Sequence, residues 1–340
     1  MRTLPLLLGL LLIALSACSQ PAVVGDGDVV RLGYFPNITH ATAIVGIERG
    51  LFADSLGDDV DLQLHTFNAG PDVVEAIFSG ALDASYIGPN PAINAFVRSS
   101  GDAIRIVSGA TSGGAALVVR DGIDSPEQLA GARLGSPQLG NTQAVALRAW
   151  LAEQGFETDL EGGGDVAVLP QANGDILSAF STGDLDGAWV PELLATRMVE
   201  EGGGHVLVDE RDLWPGGEFV TTHLIVGTTF LEEHPDLVKR LLEGQVAANE
   251  YVNGNAEEAR RIVAEAIGEL TGTELDPRIV GLAWENLQFT NDPIVSSLAT
   301  SAQHATALGL LEEADLDGIY DLTLLNQGLA AAGEAEVTQP

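Results

Sequence analysis

The chain has 340 residues, and its 15 basic against 49 acidic side chains give a formal net charge of −34. A surface this negative repels phosphate backbones, so we expect no nucleic-acid partner. Hydrophobic residues form 46% of the chain, which is too many for a chain that stays disordered because it lacks hydrophobic residues. The length is typical of two lobes or domains.

The N-terminus has the pattern of an export signal. Arg2 precedes an apolar run from Leu4 to Leu15, which is shorter than the roughly 20 residues that a membrane-spanning helix needs. The single cysteine, Cys18, completes Leu15-Ser16-Ala17-Cys18, which resembles the bacterial lipobox, in which the cysteine is lipidated. We therefore predict a signal peptide over residues 1–17, a lipidated linker over 18–28, and an exported protein at the outer face of the cell membrane or in the periplasm.

The mature sequence begins with strands that alternate with helices. Val29 to Phe35 reads as a strand, Ala41 to Arg49 has helical spacing, and Val60 to Phe67 alternates with period two. This alternation continues to about residue 230 and predicts an α/β fold with mostly parallel sheets flanked by helices. The last third is predicted to be mostly helical, over Pro235–Asn253, Ala256–Glu269, Pro277–Asn286 and Pro293–Leu308.

An internal match indicates two lobes. Residues 72–87 can be laid without a gap on residues 175–190, and five positions are identical. Each copy predicts a helix capped by its aspartate (Asp72 or Asp175), a closing glycine, and Leu-Asp leading into a buried strand. Two copies about 100 residues apart favour two lobes of similar topology over a solenoid, which needs three or more short repeats.

The loops after the predicted strands are the expected ligand site, because ligands of such folds lie beyond the carboxyl ends of the strands. These loops are rich in Gly, Asn, Ser, Thr and Gln and contain no Lys or Arg. Gly135–Gln143 leads into a predicted helix from Thr142 to Gln154, whose N-terminus would attract an anion; the alternative is a plain capping turn. Neutral donors suit a small oxyanion such as a sulfonate or nitrate, not a triphosphate.

Two further residues have competing interpretations. Glu192 could receive an ammonium group of the ligand, cap the helix that follows it, or make a contact between lobes. Trp189 could line an apolar ligand tail or pack in the core. Enzyme and metal signatures are missing: the sequence has no His-Glu-x-x-His, no Gly-x-Ser-x-Gly and no EF-hand spacing. We expect no catalysis, no cofactor and no metal.

Several segments, taken in order, resemble the substrate-binding proteins of ABC importers for aliphatic sulfonates, nitrate and taurine, a family that includes pyrimidine-precursor binders. The segments that carry the resemblance span most of residues 30–325 and are Gly33–Ala41, Glu48–Phe52, Gly80–Asp83, Gly135–Pro137, Gly183–Ala188 and His234–Val238. The resemblance implies the periplasmic-binding-protein type II fold, with two α/β lobes joined by two crossings that close like a hinge.

The resemblance also implies the division of the chain and its site. Lobe one would comprise residues 29–120 and 222–330, lobe two residues 121–221, and 331–340 a disordered tail. The ligand-binding residues expected on lobe one are Asn37, Thr39, His40, Asn68, Gly70, Pro89, Asn90, Ser112, Gly113 and Gly114. Those expected on the opposite side are Ser136, Gln138, Gly140, Asn141, Thr142, Gln143, Trp189 and Glu192.

The function implied is that of a monomer that captures a small anionic solute and delivers it to the ABC permease in the membrane. The nitrate and bicarbonate branch is often associated with a basic residue at the site, and these loops contain none, which favours a sulfonate or taurine-like ligand. Nitrate, bicarbonate and pyrimidine-precursor binding remain alternatives. An enzyme or a sensory lipoprotein on the same scaffold would be the rival of another class.

Overall fold

The computed structural model describes residues 28–313 and 315–338. The predicted signal peptide and Cys18 lie outside the described residues, as does the predicted linker except for Asp28. Within the described part of the chain, no helix is long and apolar enough to cross a membrane.

The chain forms eleven strands and thirteen α-helices over the described residues. The strands are β1 Asp28–Tyr34, β2 Val60–Thr66, β3 Ala84–Ile87, β4 Ile104–Gly113, β5 Ala115–Val119, β6 Arg133–Ser136, β7 Ala167–Pro170, β8 Gly187–Pro191, β9 His205–Asp209, β10 Val220–Gly227 and β11 Leu287–Phe289. The helices are α1 Ala41–Glu48, α2 Leu51–Leu56, α3 Gly70–Phe78, α4 Pro89–Arg98, α5 Thr142–Glu153, α6 Asn173–Thr182, α7 Leu194–Glu200, α8 Thr228–Glu233, α9 Pro235–Gly254, α10 Ala256–Thr271, α11 Pro277–Trp284, α12 Val295–Ala307 and α13 Thr323–Ala332.

The strands form two sheets, in the orders β11-β4-β10-β3-β1-β2 and β7-β6-β8-β5-β9. The pairs β1–β2, β1–β3, β6–β7 and β6–β8 are parallel, as the strand–helix alternation predicts. The pairings of β10, β11 and β5 are antiparallel, so both sheets are mixed instead of mostly parallel. The physical reason is that β5 and β10 follow direct crossings between the sheets, where no helix returns the chain to the same edge.

The chain passes from the first sheet to the second at Gly113 and Gly114, whose φ angles are +77° and +75°. Strand β5 therefore belongs to the second sheet, and sheet membership changes before the predicted boundary at residue 120. The return occurs between β9 and β10, close to the predicted residue 222. We call lobe one the first sheet with its helices, and lobe two the second sheet with α5, α6 and α7.

Each lobe has its own hydrophobic core. In lobe two, alternate residues of β5 face opposite sides of the sheet, because side chains alternate along a strand. Leu117 and Val119 join one cluster, in which the rings of Trp150 and Trp189 lie 5.8 Å apart, while Val118 joins the other. The second sheet is thus covered on both faces, as expected for a sheet flanked by helices.

The internal match corresponds to one structural unit in each lobe, namely α3–β3 and α6–β8. The repeated Leu-Asp has the same role in both copies. Asp83 accepts a hydrogen bond from the backbone N–H of Arg31 at 2.8 Å, and Asp186 accepts one from that of Arg133 at 2.7 Å. Each arginine also forms an ion pair with its aspartate, which lies just before the neighbouring parallel strand. The match therefore reflects the same helix–strand unit, with the same aspartate–arginine contact, in each lobe.

One part of that prediction is wrong. The N-cap residues of α3 and α6 are Ala69 and Ala172, and the aspartates expected as caps lie within the first turn and are exposed. Both helices begin earlier than predicted, so neither terminus has a side-chain cap.

The last helix extends into the segment that was predicted as a tail. Helix α13 continues to Ala332, inside the expected disordered tail. Farther on, the backbone of Val337 exchanges two hydrogen bonds with the Asn326 side chain, at 2.8 and 3.0 Å.

Candidate functional site

A small cavity of about 30 Å³ lies between the lobes. Lobe one contributes Phe35, Asn37, Thr39, His40, Asn68, Gly88, Thr221 and Thr222. Lobe two contributes Asn141, Thr142, Gln143, Asn173 and Pro191. The described lining has carboxamides, hydroxyls and one imidazole, but no arginine, lysine or carboxylate.

Four helices begin at this cavity, two from each lobe: α3 and α4 from lobe one, and α5 and α6 from lobe two. Their N-cap residues are Ala69, Gly88, Asn141 and Ala172, and none makes a side-chain capping bond. Three of these residues have no side-chain acceptor at all. The positive end of each helix dipole favours an anion, so the convergence of four uncapped termini creates a region of positive potential without any fixed cation. Prolines remove some of the first N–H groups of α3 (Pro71) and α4 (Pro89 and Pro91), so the N–H donors come mainly from the starts of α5 and α6.

Three polar atoms of the lining are buried without a hydrogen-bond partner among the described residues. They are the hydroxyls of Thr142 and Thr222, and Oδ1 of Asn173. Thr142 is 6% exposed and Thr222 is 1% exposed. Buried polar groups in native proteins are nearly always paired, so these atoms indicate where a solute would make its contacts.

His40 is a neutral donor at this site. Burial lowers its pKa to about 3. The ring stacks on Phe35 with 4.4 Å between centroids, and Nδ1 accepts the Phe35 backbone N–H at 3.3 Å. Because Nδ1 is an acceptor in this contact, the neutral ring carries its proton on Nε2 and can donate it.

Two glycines allow the lobes to approach closely at the cavity. A Cβ atom on Gly88 would collide with Oγ1 of Thr142 on the opposite lobe. A Cβ atom on Gly70, which lies beside the cavity, would first collide with Pro91 of the same lobe and would also come within 3.2 Å of Oδ1 of Asn141 on the opposite lobe. The glycines thus bring the start of α4 and the start of α3 against the start of α5.

The structure brings together seven of the residues that the sequence predicted as ligand-binding: Asn37, Thr39, His40, Asn68, Asn141, Thr142 and Gln143. It places the others outside the cavity lining. Gln138 is exposed in the loop before α5, together with the more sheltered Gly140. Pro89 is buried in the first turn of α4.

The polar side chains of three other predicted residues are turned away from the cavity or lie at the crossing between lobes. Asn90 donates to the carbonyl of Ser301 at 3.2 Å, and Ser136 donates to the carbonyl of Pro137 at 3.1 Å. Ser112 is paired within the first sheet next to the crossing at Gly113 and Gly114. Asn90 thus belongs to α4, Ser136 to β6 and Ser112 to β4. The side chains of Asn90 and Ser136 satisfy backbone carbonyls instead of facing the cavity.

Trp189 is fully buried in the core of lobe two, and its indole N–H donates to Glu210 at 2.7 Å. It therefore has the packing role that was the alternative to ligand contact. The Glu210 carboxyl is enclosed with it, and burial raises the pKa of Glu210 to about 7.

Glu192 also faces away from the cavity, although it follows Pro191 directly. One oxygen accepts the backbone N–H of Thr196 at 3.1 Å, and the other accepts the Thr196 hydroxyl at 3.0 Å and Nδ2 of Asn286 at 2.7 Å. Asn286 belongs to lobe one and also accepts from Arg211 at 3.0 Å. Glu192 therefore combines helix capping with a contact between lobes, and burial raises its pKa.

Six residues of the lining were not among the predicted ligand-binding residues: Phe35, Gly88, Asn173, Pro191, Thr221 and Thr222. Of these, Gly88, Asn173 and Pro191 lie in loops after predicted strands, where the sequence places the ligand. Continued by two residues before and one residue after the internal match, the gapless alignment pairs Asn173 with the predicted site residue Gly70, and Pro191 with Gly88. The threonines come from the returning strand β10, and only the crossing of the chain brings them to the cavity.

The sequence matches one family model and is similar to a periplasmic binding protein. The model of the NMT1-like family matches residues 26–268. The chain is 28% identical over 201 residues to the taurine-binding periplasmic protein of Escherichia coli, covering 58% of this chain and 59% of that protein.

Two solved structures share the fold. The nitrate-binding protein NrtA of Synechocystis has a TM-score of 0.76 at 13% identity, with 90% of this chain and 89% of that chain covered. The alkanesulfonate-binding protein SsuA of Xanthomonas axonopodis, bound to MOPS, has a TM-score of 0.69 at 16% identity, with 84% and 94% covered.

Proposed function

Since this chain belongs to the NMT1-like family, a group with solute-binding proteins of ABC importers, we propose that it captures a small organic oxyanion outside the cytoplasm and delivers it to a membrane permease. An aliphatic sulfonate is the proposed ligand. The observation that carries this proposal is the convergence of four uncapped helix N-termini on one cavity between the lobes. Anchoring through Cys18 stays a prediction from the sequence.

The helix termini can replace a fixed cation in energetic terms. A favourably placed, partly buried anion gains up to about 2 kcal/mol from each helix, and each hydrogen bond to a charged group contributes about 1.5–3 kcal/mol. Four termini with the hydroxyls of Thr142 and Thr222 are of the order of the ~8 kcal/mol that micromolar affinity requires.

The division of the site between two lobes supports capture by closure. Each lobe supplies two of the four termini, so the complete set of donors exists only when the lobes meet. The two crossings, at Gly113–Gly114 and between β9 and β10, are the segments about which such a movement would occur. Closure would also remove water from the anion, which strengthens each electrostatic contact.

Nitrate is a second candidate, because the described lining offers many neutral donors but only two apolar side chains, Phe35 and Pro191, to receive an alkyl tail.

Calorimetric titration of the purified protein tests the proposal, with ethanesulfonate, nitrate and a pyrimidine as ligands. We expect heat with ethanesulfonate or nitrate, and a roughly 10-fold or greater loss of affinity in Thr142→Ala, because one hydrogen bond to a charged group is lost. Thr273→Ala, an exposed threonine far from the cavity, is the matched control. Titration without heat for either anion, or wild-type affinity in Thr142→Ala, would refute the proposal.

The pH dependence gives an independent check. Among the described lining residues His40 is the titratable group, and its pKa of about 3 keeps it neutral above pH 5. Affinity for a permanently charged sulfonate should therefore stay constant between pH 5 and 8. A loss of affinity centred near pH 6.5 would show that His40 binds as a cation.

A further inference from the structure

The cavity has no carboxylate among its described lining residues, although the chain carries 49 acidic residues. Glu192 is the acid nearest in sequence to the lining, and its two oxygens are already bonded to Thr196 and Asn286. Asp72 and Asp175, in the first turns of α3 and α6, are exposed and outside the lining. A bound ammonium group would find no counter-ion here.

The surroundings of the cavity add to this effect. The four helix N-termini that favour an anion repel a positive charge placed among them. An ammonium group enclosed by closure would lose its water and gain no carboxylate, which opposes its binding. The same geometry that binds a sulfonate therefore opposes an amine on the same molecule.

The lining does offer an acceptor to a neutral donor. Oδ1 of Asn173 is buried and has no hydrogen-bond partner among the described residues. A hydroxyl group can pair with this oxygen at little desolvation cost, because it gives up a water contact for an equivalent one.

We infer that the solute is an oxyanion whose remaining part is uncharged and can carry a hydroxyl group, and that aminated sulfonates such as taurine are rejected. This inference rests on the proposed function and narrows its ligand class. It also separates this chain from the Escherichia coli relative, whose name gives taurine as its ligand.

Three ligands that differ in one terminal group test the inference by calorimetry: ethanesulfonate, 2-hydroxyethanesulfonate and taurine. We expect the hydroxylated compound to bind at least as tightly as ethanesulfonate, and taurine at least 10-fold more weakly than both. Taurine binding with equal or higher affinity would overturn the inference while leaving oxyanion capture intact. Failure of all three ligands and of nitrate to bind would overturn the proposed function and the inference with it.

A pair of variants tests the role of charge directly. Asn173→Asp places a carboxylate in the cavity with almost no change of shape, at a helix N-terminus where aspartate is tolerated. It should weaken ethanesulfonate binding and shift the ratio of taurine to ethanesulfonate affinity at least 10-fold toward taurine. Asn255→Asp adds the same charge at the exposed start of α10 and should leave the ratio unchanged. An unchanged ratio in Asn173→Asp, or an equal shift in both variants, would contradict the inference.

Discussion

Replacing Gly88 by alanine should prevent closure without harming the fold. Gly88 has φ −73° and ψ 161°, a conformation that alanine adopts readily. The added Cβ atom meets no obstacle within lobe one closer than the carbonyl of Thr221 at 3.6 Å, but it collides with Oγ1 of Thr142 on lobe two. The clash therefore exists only when the lobes are together.

The size of the effect follows from what Thr142 must do. To relieve the clash, its side chain has to leave its rotamer, which costs about 0.5–1.5 kcal/mol, and its hydroxyl loses a bond to the bound anion, worth about 1.5–3 kcal/mol. A total of about 2–4.5 kcal/mol corresponds to a roughly 30- to 1,600-fold loss of affinity. In a Thr142→Ala background, the nearest remaining atoms lie 3.6 Å away, an ordinary contact, so the same glycine replacement should cost little.

The assay is a double-mutant cycle measured by calorimetry with ethanesulfonate, together with thermal unfolding of each unliganded protein. Gly227→Ala is the matched control, since this glycine also precedes a helix in an extended conformation and its Cβ would lie 3.7 Å from the nearest atom. We expect unchanged unfolding temperatures and strong coupling between the two sites. Equal losses in both backgrounds, or normal binding by Gly88→Ala, would refute the proposed closure.

Two further predictions concern polar groups outside the cavity. Burial raises the pKa of Glu210 to about 7 from an ordinary value of 4.5, so the folded protein retains a proton that the unfolded chain releases, and the free energy of unfolding should fall by about 3 kcal/mol as pH rises from 4.5 to 8. Glu210→Gln removes this pH-dependent contribution. Urea unfolding should therefore show that the free energy of unfolding of the variant, relative to wild type, rises by about 3 kcal/mol between pH 4.5 and 8. Parallel pH profiles of the two proteins would contradict the raised pKa of Glu210. Asn286→Ala removes the bonds to Glu192 and Arg211 between lobes, and thermal unfolding should show a loss of about 1.5–3 kcal/mol. Wild-type stability of this variant would show that the contact contributes nothing.

Local patterns in the sequence predicted the architecture. The strand and helix periodicities predicted the α/β class, and the gapless match of residues 72–87 to 175–190 predicted two similar lobes. The match is informative because the two copies form the same contact: Asp83 and Asp186 each bond to an arginine on the adjacent parallel strand. The composition of the loops predicted an oxyanion site built from neutral donors. Seven of the thirteen described lining residues were among the predicted ligand-binding residues.

The orientation of side chains was decided by the tertiary structure. Glu192 and Pro191 are adjacent in sequence, yet one bonds across the lobes and the other lines the cavity, because successive residues at a strand end face opposite ways. Thr221 and Thr222 reach the site only because the chain crosses back between sheets. The sequence by itself indicated which loops lie at the cavity, because each loop that follows a strand lies at the carboxyl end of that strand. Which atoms meet across it depends on how the two lobes close, and contacts between residues far apart in the chain leave no local pattern to read.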